Sequence, residues 1–108
     1  MPKRNKIKTK TIQIIGNSYT VQYINKEDAE HNFFNQSERL MGDCNYQDLI
    51  IRVDASMNKQ QQDSTLLHEI LHAVSDALAI ELTENQVKRL ESGLMSVLKS
   101  NKNLFETI

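Results

Sequence analysis

Two periodicities of apolar and polar positions divide the chain. In residues 11–24, TIQIIGNSYTVQYI, the side chains Tyr19, Val21 and Tyr23 alternate with Thr20 and Gln22. That is strand periodicity, and Gly16-Asn17 offers a Gly-X turn to close a hairpin. Residues 26–40 are polar apart from Phe33, Phe34 and Leu40 and predict a short helix or an irregular connection. Gly42-Asp43 then reads as a turn, followed by a short strand, Cys44 to Tyr46, and a better one, Leu49 to Val53. After a polar stretch from Asp54 to Asp63 the period becomes helical. Leu67, Ile70, Leu71, Val74 and Leu78 make one stripe from Ser64 to about Ile80, with Asp63 or Ser64 available as cap.

A second helix is delimited more sharply. Thr83 and Gln86 form a capping box, and Leu82 and Val87 stand at the positions of a hydrophobic staple. Val87, Leu90, Leu94, Val97 and Leu98 continue its stripe to about Lys99. The pattern as a whole predicts an α+β fold: a small antiparallel β-sheet followed by a two-helix hairpin.

A length of 108 residues suits one domain, placed at 11–108, behind a basic arm at 1–10 that carries Lys3, Arg4, Lys6, Lys8 and Lys10. With 39% hydrophobic residues and no Trp, the core is expected to be modest. A net charge of −1 exerts no global pull on nucleic acid or anionic membrane, so the arm reads as solvated and flexible rather than phosphate-binding. No apolar run is long enough to span a bilayer, and no signal-peptide core follows the basic start. The single cysteine, Cys44, rules out an internal disulfide framework. A cytoplasmic protein without membrane or nucleic-acid partners is the default expectation.

Chemistry concentrates in Leu66-Leu67-His68-Glu69-Ile70-Leu71-His72-Ala73. One helical turn stacks His68 over His72, so both imidazoles can reach one ion. Glu69, the next residue round, can polarise a metal-held water without ligating the metal. This is the H-E-x-x-H arrangement of zinc hydrolases, and it lies in the helical context it requires. Both histidines fall off the apolar stripe, unlike core-filling residues. Shuffling this composition yields the motif in roughly one sequence in two hundred, so chance is a poor explanation.

A catalytic zinc site takes a third protein ligand. Glu84 and Glu91 lie on the same flank of the second helix, seven residues apart. With near-parallel axes and a loop centred at 81–82, Glu91 lies level with His72, and Glu84 about 10 Å further down at about 1.5 Å per residue. Glu84 can also be read as a first-turn acid that complements the helix dipole. Asp76, four residues after His72, is a candidate to orient that imidazole.

The stretch TLLHEILHA, followed by Leu82-Thr83-Glu84-Asn85-Gln86-Val87-Lys88-Arg89-Leu90, resembles the ImmA/IrrE group of zinc metallopeptidases. It is especially similar to the short single-domain versions encoded by phages and prophages. The likeness extends upstream to the Gly16 hairpin, the Gly42-Asp43-Cys44 turn and the strand Leu49 to Val53, and so covers most of residues 11–100. The resemblance implies a minimal zincin. It implies Glu84 as third ligand, at the start of an E-x-x-A-type helix in which Val87 stands where alanine is common. The group's better-known members cleave transcriptional repressors, which implies a protein or peptide substrate, a transcriptional regulator among the candidates.

Elsewhere the bland readings lead. Cys44 is expected to be a buried structural thiol and His31 a surface residue; Tyr23, Tyr46 and Arg52 are candidates to stabilise an oxyanion. The leading expectation is a Zn2+-dependent metallopeptidase with His68, His72 and Glu84 on the metal and Glu69 as catalytic base. The alternatives are a non-catalytic zinc-stapled domain and an interaction module that sequesters a host or phage regulator. So short a chain forms only a shallow cleft, which favours a homodimer or a partner protein in each case.

Overall fold

The computed structural model describes residues 7–25 and 41–106. Lys3, Arg4 and Lys6, and the 26–40 segment with His31, Phe33, Phe34 and Leu40, lie outside the described residues. Strands β1 (Lys8–Ile14), β2 (Asn17–Ile24), β3 (Gly42–Asn45) and β4 (Ile50–Asp54) precede helices α1 (Lys59–Ala77) and α2 (Glu84–Ser100). The architecture is α+β.

Ile14 pairs with Asn17 in the β1–β2 hairpin, so the turn consists of Ile15 and Gly16. Both have positive φ, 46° and 82°, as a mirror-image two-residue turn requires. Gly16 therefore fills the second central position, not the first as the Gly-X reading predicts. β1 starts at Lys8, which places Lys8 and Lys10 in the sheet, and the Lys10 ammonium sits 5.7 Å from the centre of the Tyr23 ring.

The sheet order is β1-β2-β4-β3. It is mixed, which corrects the antiparallel expectation: β1–β2 and β3–β4 are antiparallel, whereas β2 and β4 run parallel with Val21 opposite Ile51. Alternation along a strand reports which face is buried and says nothing about the direction of the neighbour. Val21, Ile51 and Val53 are fully buried and form the centre of a core with Ile14, Tyr19, Leu66 and Ala73.

α1 closes this core. It begins five residues before Ser64, because Asn58 caps it and forms a reciprocal capping box with Gln61. Its buried residues are Thr65, Leu66, Glu69 and Ala73; of the predicted stripe of Leu67, Ile70, Leu71, Val74 and Leu78, Ile70 and Val74 pack against the core half-buried, and Leu78 is exposed. The helix ends at Ala77 in a Schellman arrangement, with Ile80 N–H bonded to Ser75 O and Ala79 N–H to Asp76 O. Gly42 lets α1 approach β3 closely: a Cβ there would stand 2.6 Å from Arg52 O and 2.7 Å from Thr65 Cγ2.

α2 has the predicted cap, Thr83 boxed with Gln86. It differs from α1 in burial, since Val87 alone among its residues is buried, while Leu90, Leu94, Val97 and Leu98 are exposed. Among the described residues, no helix is long and apolar enough to cross a membrane.

Candidate metal centre

His68 and His72 project from α1 toward the start of α2, where Glu84 is the first helical residue. His68 Nε2 lies 3.3 Å from His72 Nε2 and 2.9 Å from Glu84 Oε2, and His72 Nε2 lies 3.1 Å from Glu84 Oε1. Ligand atoms at the corners of a tetrahedron with bonds of about 2.0–2.1 Å are about 3.3 Å apart. The three side chains thus form a group that could hold a metal ion, with two nitrogen donors and one carboxylate.

Glu91 occupies a different place. Its Oε1 is 2.8 Å from His68 Nδ1, on the side of the ring away from the Nε2 cluster, and its Oε2 accepts a hydrogen bond from Ser64 Oγ. The level-matching expectation for Glu91 fails because α1 stops at Ala77. The six residues 78–83 carry the chain back along α1 before α2 starts, setting Glu84 beside His72 and Glu91 beside His68 and Ser64. Asp76 is exposed and makes no hydrogen bond to His72 among the described residues.

Glu69 lies on the buried side of α1, and only 7% of its surface is exposed. Among the described residues no group donates a hydrogen bond to its carboxylate. Burial pushes its pKa up to about 7, aided by the carboxylates of Asp43, Glu84 and Glu91 and opposed by His68. A buried carboxyl poised near neutrality, with no hydrogen-bond donor on it among the described residues, suits general acid–base work.

Glu69 borders a cleft of about 720 Å³ that His68, His72 and Glu84 also line. β3 and the turn after it supply the opposite wall, including Cys44 and Tyr46. Of the three oxyanion candidates, Tyr46 alone lines this cleft. Tyr23 lies beneath Lys10, and Arg52 is paired with Asp43, its Nε 2.8 Å from Oδ1. Partial burial raises the Tyr46 phenol above its ordinary value, which keeps it a donor at neutral pH. Cys44 is half-buried, and burial followed by the Glu69 charge pushes its thiol up to about 12.

The roles of two residues, Lys88 in the cleft and Ser64 beside it, escape the sequence reading. Lys88 follows Glu84 by four positions on α2, a spacing that places it on the same face. Ser64 was visible only as a cap candidate; inside the helix its hydroxyl is one turn ahead of His68 and meets Glu91 instead. No family model, curated protein or solved structure matches the chain.

Proposed function

We propose that this chain is a zinc-dependent metallopeptidase of minimal zincin type, acting on a protein or peptide substrate. The observation that carries the reading is Glu69: a buried carboxyl without a hydrogen-bond partner among the described residues, bordering the cleft lined by His68, His72 and Glu84. A site that only stapled the fold would not need it.

The donor set of His68, His72 and Glu84, two imidazoles and a carboxylate, suits zinc, and three protein ligands are the number a catalytic zinc site takes. Zinc held there would supply a Lewis acid that brings the pKa of water toward neutrality and polarises a carbonyl. The chain's own residues do the remainder. Glu69 takes the proton from the attacking water as its oxygen bonds to the peptide carbon, and gives that proton to the departing amine nitrogen as the C–N bond breaks. Tyr46, a phenol that also lines the cleft, would donate a hydrogen bond to the carbonyl oxygen as it gains charge. The kinship proposed is with the ImmA/IrrE group, and a regulator cleaved in a bacterial cytoplasm is the kind of substrate that kinship favours.

One observation favours a second reading, in which the metal only staples the fold. α2 buries little besides Val87, and Glu84 is its polar bridge to the two histidines of α1. One variant separates the readings. Glu69→Gln should retain one zinc per chain and lose cleavage of a denatured peptide library, read by mass spectrometry, by at least about 100-fold. Turnover retained in that variant removes Glu69 from the mechanism. A wild type that binds zinc, cleaves nothing and unfolds on chelation leaves the stapling reading.

A further inference from the structure

The two glutamates of α2 near the histidines are not equivalent. The Glu84 side chain is 57% exposed and divides its oxygens between the two Nε2 atoms. Glu91 is only 20% exposed, and both of its oxygens are engaged, one by His68 Nδ1 and one by the Ser64 hydroxyl. His68 itself is 13% exposed, so its ring has little solvent to replace that bond.

From this geometry we infer that Glu91, fixed by Ser64, is a positioning residue for His68 rather than a ligand. Nδ1 and Nε2 point from opposite sides of the imidazole. When Nδ1–H donates to Glu91 Oε1, the neutral ring carries its lone pair on Nε2, the atom that faces His72 and Glu84. The carboxylate also fixes the rotation of the ring and makes Nε2 a stronger donor to a cation. Ser64 does for Glu91 what Glu91 does for His68: its bond to the second oxygen holds the carboxylate on the Nδ1 side of the ring, away from the two Nε2 atoms. Ser64 and His68 are one turn apart on α1, and Glu91 reaches both from α2. A carboxylate held in this way is not available to the same ion through the same oxygens.

The inference rests on the metal-site reading and is independent of whether the chain cleaves peptides. Zinc affinity would be measured by competition with a chromophoric chelator for the wild type, Glu91→Ala, Glu91→Gln, Ser64→Ala and Glu84→Ala. Cobalt spectra and ¹H–¹⁵N imidazole spectra would be recorded on the metal-loaded forms. Glu91→Ala should bind zinc about 10- to 100-fold more weakly, still at one ion per chain, with the cobalt absorption bands unmoved. Its His68 Nδ1 proton signal should be lost to exchange with water. Glu91→Gln keeps an acceptor oxygen and should recover most of the affinity and the proton signal; it also serves if the alanine variant fails to fold. Ser64→Ala should show a smaller loss in the same direction.

Glu84→Ala should instead shift the cobalt bands, because it removes a ligand. Shifted bands in Glu91→Ala, or an affinity within twofold of wild type with the Nδ1 signal intact, would overturn the positioning role alone. A wild type that binds no zinc overturns the metal site and this inference together.

Discussion

The sheet with the inner face of α1, and α2 with its polar bridges, hold the molecule together by different means. In the first region Val21, Ile51 and Val53 are fully buried, and Leu66 and Ala73 of α1 pack onto them. Burying each such aliphatic side chain contributes about 1.5–3 kcal/mol. In the second region Val87 is the only buried residue of α2; the other links are Glu84 to His68 and His72, and Glu91 to His68 and Ser64. Partly exposed bridges of this kind contribute little alone. Cohesion in the first region comes from exclusion of water, whereas in the second it depends on groups whose geometry an ion would fix. The site lies where the two meet.

The contrast is broken most directly by truncating one apolar side chain in each region. Ile51→Ala should destabilise the chain by about 4 kcal/mol, since it empties fully buried volume on the inner strand β4. Leu94→Ala, on the exposed stripe of α2, should stay within about 1 kcal/mol. Urea unfolding of both variants reads the difference. Equal losses would mean that the α2 stripe is covered in solution and that the two regions are alike.

Glu69 tests the boundary between them. Its carboxyl titrates near 7 in the folded chain, against an ordinary value of 4.5. Protonated Glu69 therefore favours the folded state. This contribution is complete below pH 4.5 and is lost as pH rises through 7, and it amounts to about 3 kcal/mol. Glutamine imitates the protonated form. In metal-free protein Glu69→Gln should match the wild type below pH 4.5 and exceed it by up to about 3 kcal/mol above pH 7, measured by urea melts across that range. A pH-independent difference would show that Glu69 does not titrate in this window. A stability gain accompanied by lost cleavage is the trade expected of a residue kept for chemistry.

What could be read from the sequence follows the same division between local and long-range causes. The α2 cap and the His68-Glu69-His72 spacing are set within one turn of helix, and the structure has them as the residues suggest. The parallel pairing of β2 with β4 joins segments separated by residues 25–49, and periodicity carries no record of it. The buried face of α1 is legible only in part: Ile70 and Val74 of the expected stripe do pack against the core, but Leu67 and Leu71 outweigh the buried Thr65 and Glu69 on a hydropathy wheel. Which side of α1 meets the sheet is decided by Gly42, whose missing Cβ admits Thr65 against β3 and leaves Glu69 Cγ within 3.6 Å of where that Cβ would be. A lone glycine after a polar run signals a turn as readily as a close approach. For Glu91, the sequence placed it on the correct flank of α2, but its role depends on where α1 ends.

That end of α1 carries the smallest predicted effect. Ala79 holds the left-handed position of the Schellman turn at φ 55°, where a Cβ crowds the backbone and glycine is the usual occupant. Ala79→Gly relieves that crowding, while the greater freedom of glycine in the unfolded chain offsets part of the gain. The net expectation is a stabilisation of about 1 kcal/mol, read as a raised urea midpoint at unchanged slope. Because glycine keeps the left-handed turn and its backbone hydrogen bonds, residues 78–83 should still set Glu84 level with His72, and zinc affinity should be unchanged. A stabilised chain with weakened zinc binding would mean that the strained turn helps hold Glu84 in place, and that the second region depends on the connection between the helices as well as on its polar bridges.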